Sequence, residues 1–274
     1  MLRKFQKLSL LALSLGCALL IVLFSLPTAA QVSLSPLMVV MDLQNGQGQQ
    51  LITVRNRTDK AYRARIYTEP FTYTSNGLQS LSSSDMDLTP YLVFSPREVE
   101  LQPRTERNVR LVARVPREIQ NKELRAVLYV QDLREVALTS PDAIAQAAIS
   151  SRIGMPIYAR IGNVAPSLTV VDAKYQPDQK RVAIRVKNTG LGSTRAWINW
   201  TLSGQGQQPI EGKETPSSIV ASSQRDIYIE NNPAVASLKP GTYQLSGSLD
   251  TERERNQQTF KFNVAFEVPQ PKGR

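Results

Sequence analysis

The stretch Asn108-Val109-Arg110-Leu111-Val112-Ala113-Arg114-Val115 alternates at every residue. Val109, Leu111, Ala113 and Val115 fall on one side and Arg110 and Arg114 on the other, the period of a half-buried β-strand. LRAVLYVQ, from Leu124 to Gln131, repeats the pattern: Leu124, Ala126, Leu128 and Val130 share a face beside Val127 and Tyr129. In AYRARIYT, Tyr62, Ala64 and Ile66 oppose Arg63, Arg65 and Tyr67, and Val54 sits in the similar LITVRN. Asn45-Gly46, Ser75-Asn76-Gly77, Ser95-Pro96 and Gln102-Pro103 separate such segments with turn and edge signals. About seven strands in about 130 residues have the size of a β-sandwich, and antiparallel sheets with one wet face are predicted.

A second region reads the same way. RVAIRVKN alternates at Val182, Ile184 and Val186, TRAWINWTL at Ala196, Ile198, Trp200 and Leu202, and RDIYIE at Ile227 and Ile229. GTYQLSGSL aligns Tyr243, Leu245 and Leu249, and FKFNVAF aligns Phe260, Phe262, Val264 and Phe266. The expected fold is all-β, with two sandwiches at 31–162 and 163–268. The passage Ile161 to Pro166 divides them, and residues 269–274 form a solvated tail. One segment, Pro141 to Ile161, stays open on propensity alone. Its alanines suit a short helix started by Pro141, while Ala145, Ala147 and Ile149 also make a strand face.

Residues 1–30 are different material. Arg3, Lys4 and Lys7 precede a mainly apolar run from Leu8 to Leu26, and Pro27-Thr28-Ala29-Ala30 supplies small residues before Gln31. This reads as a secretory signal peptide, cleaved near Gln31; an uncleaved, membrane-anchoring segment is the competing reading, since the run is about long enough to span a bilayer. Cys17, inside the run, is not read as a lipidated cysteine.

Composition excludes much chemistry. The 274 residues contain no His and one Cys, so imidazole catalysis, a His/Cys zinc site and an internal disulfide are all ruled out. There is no Gly-x-Ser-x-Gly elbow and no Ser-x-x-Lys element. GQGQQ occurs at Gly46–Gln50 and Gly204–Gln208, but both copies lie among β segments and read as turns, not phosphate cradles. Asp85 and Asp87, and Asp250, Glu252 and Glu254, lack the spacing of an EF-hand calcium loop. Glu98 and Glu100 fall on one strand face and read as surface decoration in preference to a glycosidase pair. No enzyme activity and no cofactor are expected.

The net charge of +10 falls to +7 without Arg3, Lys4 and Lys7. The charges are mixed along the chain, with no tract of the kind that binds nucleic acid. A basic surface facing the cell wall or an anionic membrane is compatible with this charge but not specified by it.

In order and spacing, three segments resemble the periplasmic chaperones of pilus assembly, the two-domain immunoglobulin-like family. They are VSLSP at Val32–Pro36, FSPREVELQPRTERNVRL at Phe94–Leu111 and RAVLYVQDLRE at Arg125–Glu135. The resemblance covers most of Val32 to Arg160 and, beyond that, only general β character. It implies an L-shaped pair of immunoglobulin-like sandwiches with a subunit-binding cleft between them. It also implies that the strand after the long loop completes a pilin that lacks its last strand, which resolves the alanine-rich segment as strand. The matching subunit-binding residues are Ala145, Ala147 and Ile149, followed by Arg152 and Ile153 near the cleft.

Two departures accompany the resemblance. The family's cleft holds an Arg and a Lys that bind the client's terminal carboxylate, and Met38 and Gly154 stand at the matching positions. Arg152 or Arg160 is the candidate substitute. The donor face is also small-sided, so each contact buries less apolar area. The implied partners are pilins or other exported β-rich subunits and an outer-membrane usher, in the periplasm, with no nucleic acid. Membrane contact is expected only through the apolar run, where that is retained. The alternative is a non-catalytic envelope adaptor on the same two-sandwich frame.

Overall fold

The computed structural model describes residues 32–133, 136–138, 147–149, 151–204, 208–251 and 257–270. The expected signal segment, Ala145 and residues 271–274 of the tail lie outside the described residues.

The first half forms two facing sheets. One has the order β1 (Val32–Ser35), β3 (Gln47–Asn56), β9 (Glu106–Arg114), β7 (Leu92–Ser95). The other has the order β2 (Val39–Leu43), β13 (Arg152–Ile161), β10 (Lys122–Asp132), β4 (Tyr62–Glu69), β8 (Glu98–Leu101). The alternating residues meet between them: Ile52, Val54, Val109 and Leu111 pack with Ala64, Ile66, Ala126 and Leu128 in one buried core. Asn45 and Gly46 take φ of 51° and 76°. Gln44 and Gln47 exchange backbone bonds of 2.9 and 3.0 Å around them, the left-handed two-residue turn that Asn-Gly favours. A Cβ on Gly46 would lie 2.3 Å from the Val115 carbonyl oxygen, so glycine is required there.

The second half packs a three-stranded sheet, β14 (Leu168–Gln176), β15 (Arg181–Asn188) and β18 (Ser223–Ile229), on a four-stranded one. The latter has the order β17 (Ile210–Ile219), β16 (Thr194–Gly204), β19 (Gly241–Thr251), β20 (Thr259–Val268). Ile184, Val186, Ile198, Trp200, Leu245 and Leu249 are buried between them in a separate core. A single-turn helix, Pro233–Ala236, adds Val235 to this core, and Asn232 caps it by accepting from the Ala234 and Val235 amides. Periodicity in the sequence gave no sign of so short a helix.

Each half also carries a buried asparagine at the end of a core strand. The Asn56 amide donates to the Lys60, Leu101 and Gln102 carbonyls, and its oxygen accepts from Thr58 N–H. Asn188 does the same with Gly192, Ile219, Ser167 and Gly190. The matching VRN and VKN segments carry this device, which satisfies backbone groups of two loops with one side chain.

The expectation of one wet face fails at β10. Residues Glu123 to Val130 are buried on both sides of the sheet. The cause is a hairpin, β5 (Phe71–Thr74) and β6 (Gly77–Ser80), that folds over the outer face. Phe71 is fully buried and meets Tyr73 and Tyr158 edge-on at 5.6 and 5.8 Å. Val127, Tyr129 and, from the second half, Val220 complete this third cluster. Val127 and Tyr129 beside the core residues of β10 were the sequence trace of it.

Phe71→Ala removes the ring that this layer is built around, and a cost of about 3–5 kcal/mol is expected. The urea midpoint of unfolding reads it; an unchanged midpoint would show that the hairpin does not hold the layer.

Candidate functional site

Strand β13 organises the site. Along one side it pairs with β10 throughout, from Gln131↔Arg152 to Lys122↔Ile161. Along the other side β2 pairs with it in parallel, but only from Ile157↔Val39 to Ile161↔Leu43. The reason is local: the first strand breaks at Ser35-Pro36, β1 pairs with β3 in the opposite sheet, and only five residues remain for β2. From Arg152 to Pro156 no strand among the described residues covers that edge, which is the situation that admits an added strand.

Two residues before β13 lies β12 (Ala147–Ile149), paired antiparallel with β11 (Val136–Leu138) from Leu138↔Ala147 to Val136↔Ile149. The alanine-rich segment is therefore strand over its described part. Ala147 and Ile149 are the end residues of β12; Ala145 is outside the described residues.

Ile153 is half-buried against the first core. The Arg152 guanidinium lies 4.1 Å from the Tyr129 ring centre, donates to the Tyr67 hydroxyl at 3.0 Å and stands 3.7 Å from Glu69. Gly154 is a packing requirement: a Cβ there would meet Tyr129 Cε1 at 2.8 Å and Val127 Cγ2 at 3.1 Å. The aromatic ring occupies the space over the position where the family's lysine was expected.

Between the two cores runs a groove of about 890 Å³ whose walls include Met38, Val40, Tyr158, Arg160, Thr194 and Gln258. Arg152 and Ile153 do not line it. They open β13 roughly 26 Å from Arg160, at about 3.3 Å per residue along the strand. Met38 does line the groove and also packs on the aromatic layer.

The groove floor is tied by a buried carboxylate. Glu123, with a side chain 0% exposed, accepts from Arg160 Nε at 3.1 Å and from the Ser193 amide at 2.9 Å. The Ser193 hydroxyl also donates to Glu123 and accepts from the Ala221 amide at 3.0 Å, and Arg160 donates to the Ser193 carbonyl. Arg160 thus reaches both halves of the chain. Tyr158, fully buried beside it, has its phenol pushed well above the ordinary tyrosine value, first by burial and then by Tyr73 and Glu123. It stays protonated throughout the physiological range.

Three of the other acidic groups singled out in the sequence serve local structure, and Glu252 and Glu254 lie outside the described residues. Glu98 pairs with Arg63 at 3.1 Å on an exposed strand. Asp87 accepts from the Thr89 amide and hydroxyl at 2.7 and 2.8 Å. Asp250 accepts from Asn199, Ser248 and Thr259 on a sheet face.

No protein-family model matches the sequence, and no curated protein does. Solved structures similar to it include a class 5 fimbriae chaperone, CfaA, at 15% identity, covering 87% of this chain and 100% of that one with a TM-score of 0.48. A second is the CsuC–CsuE chaperone–tip adhesion subunit pre-assembly complex of Acinetobacter baumannii, at 12% identity, 86% and 98% coverage and a TM-score of 0.49. A third is the Pseudomonas aeruginosa CupB2 chaperone, at 9% identity, 85% and 100% coverage and a TM-score of 0.46.

Glu123→Ala leaves Arg160 and Ser193 without their buried acceptor, and a loss of about 3–5 kcal/mol is expected. Chemical denaturation measures it. A variant as stable as the wild type would mean that the carboxylate contributes nothing net to joining the two halves.

Proposed function

We propose that this protein is a periplasmic, ATP-independent chaperone that caps pilus or surface-fibre subunits by strand addition along β12 and β13, as units 31–162 and 163–268 set at an angle. The observation that carries the reading is the edge of β13 from Arg152 to Pro156, which has no strand partner among the described residues on the side away from β10 and follows β12 closely in the chain. An extended client segment gains backbone hydrogen bonds there, and alternate side chains decide the fit. The sequence resemblance supports the reading, since its quoted segments fall on β1, on β7 to β9 and on β10. Release follows when another subunit supplies its own strand, with no covalent step.

The second reading, an envelope adaptor, is favoured by Met38 and Gly154. Both positions are filled by apolar packing where a chaperone of this kind would hold the client's carboxylate. In the chaperone reading, the client terminus is held with less charge, and Arg152 or Arg160 supplies what remains.

An affinity pull-down of the exported protein, co-expressed with the small exported proteins encoded beside it, separates the two. A β-rich subunit captured by wild type and lost with Ala147→Asp is expected. Equal capture by both, or no captured subunit, favours the adaptor.

A further inference from the structure

The basic residues that are scattered along the sequence are gathered by the fold onto one sheet. In β1-β3-β9-β7, the inward residues Ile52, Val54, Val109 and Leu111 belong to the core. Period two therefore sends Gln49, Leu51, Thr53 and Arg55 of β3, and Glu106, Asn108, Arg110, Val112 and Arg114 of β9, to the outer face. The register sets these side by side: Leu51 beside Arg110, Gln49 beside Val112, Val112 beside Val93, and Arg55 beside Glu106.

Two properties distinguish this face. Its outer residues and the turns at 57–60 and 102–105 carry Arg55, Arg57, Lys60, Arg104, Arg110 and Arg114 against only Asp59 and Glu106. Both acids are already paired, Asp59 with Arg104 at 2.8 Å and Glu106 with Arg55. Most of the positive excess that follows residue 30 is therefore concentrated here. Within this basic field, Leu51 and Val93 stand 56% and 59% exposed, with Val112 between them. Arginines around a few exposed aliphatic side chains suit a bilayer surface, where guanidinium groups meet lipid phosphates and the aliphatic groups enter the interface.

Chain continuity points the same way. The edge strand of this sheet, β1, begins at Val32, and five residues separate it from the apolar run Leu8–Leu26. An extended linker of that length reaches about 20 Å at most. While the apolar run is in a bilayer, this sheet is the part of the described fold tethered next to it, and a second weak membrane contact gains from the tether.

We propose that the outer face of the β1-β3-β9-β7 sheet is a membrane-binding surface specific for anionic phospholipid. It adds a second membrane contact to the apolar run and does not depend on the chaperone reading.

The test uses the chain from Gln31 onward, since both cores lie wholly after residue 31. Co-sedimentation is measured with vesicles of phosphatidylglycerol and phosphatidylethanolamine, and with vesicles of phosphatidylcholine alone. Each basic residue at such a surface changes partitioning about fivefold, so Arg110→Ser with Arg114→Ser should lower it about thirtyfold. Lys174→Ser with Lys187→Ser, which removes the same charge from exposed sites of the second half, should leave it within about twofold. Leu51→Ser should weaken binding without changing its salt dependence. All variants are checked for an unchanged thermal unfolding midpoint. Equal binding to phosphatidylcholine, or equal loss in both double variants, overturns the proposal. So does a dimer that is lost with Arg110→Ser and Arg114→Ser in the absence of vesicle binding, which would assign the face to a second copy of the chain.

Discussion

A buried carboxylate ties the two halves of this molecule together. Glu123 sits on β10 at the end of the first core with no exposed side-chain surface, and two of its bonds come from Ser193, the residue immediately before β16. A bare carboxylate in that position would be prohibitively desolvated. Arg160 supplies the countercharge from β13, and Ser193 supplies two donors from the second half, so the charge is satisfied only when both halves are present. The Ser193 hydroxyl passes the constraint on to Ala221, beside Val220, which enters the aromatic layer of the first half. The polar tie and the apolar layer are thus two sides of one joint.

The aromatic layer explains why β10 departs from the pattern of its neighbours. Its core face could be read from Leu124, Ala126, Leu128 and Val130, whereas Val127 and Tyr129 looked like tolerated apolar residues on a wet face. What buries them is a hairpin distant in sequence, Phe71–Ser80, and periodicity within a strand carries no information about what another segment lays on it. Arg125 is drawn under the same cover. Its Nε donates to the Phe71 carbonyl at 3.3 Å, and burial lowers its pKa despite the nearby Glu123.

The β character, the two cores and the Asn45-Gly46 turn were legible because each follows from residues adjacent in sequence. The site was legible only in part. Alternation and helix propensity left Ala147 and Ile149 open between strand and helix, and only the family resemblance placed them on a strand, whereas the position of Arg152 relative to the groove depends on where β2 joins β13, a long-range pairing. Gly154 shows the same limit: its glycine is set by a Tyr129 ring on the neighbouring strand. Even the charge distribution changed character on folding, since residues spread from Arg55 to Arg114 came to share one face.

The geometry of β13 also constrains how any strand partner binds. The edge open to a partner ends where β2 takes over at Ile157, so a partner strand meets at most five residues of β13 before it must leave the sheet or displace β2. Pro156, the last of the five, has no amide hydrogen to donate. In the chaperone reading, binding would therefore draw mainly on β12 and on β13 up to Met155, and the groove beyond Ile157 would be reached by a partner's chain end and not by its strand. In the chaperone reading, specificity would be divided between two places on one strand: alternate side-chain fit near β12, and recognition of a terminus among Met38, Val40 and Arg160. The groove lining is largely polar and includes Arg160 and Arg195, and Arg160 is already engaged by Glu123. In the chaperone reading, the partner would therefore present a strand that fits small side chains, and Arg160 would meet its chain end only while also bonded to Glu123.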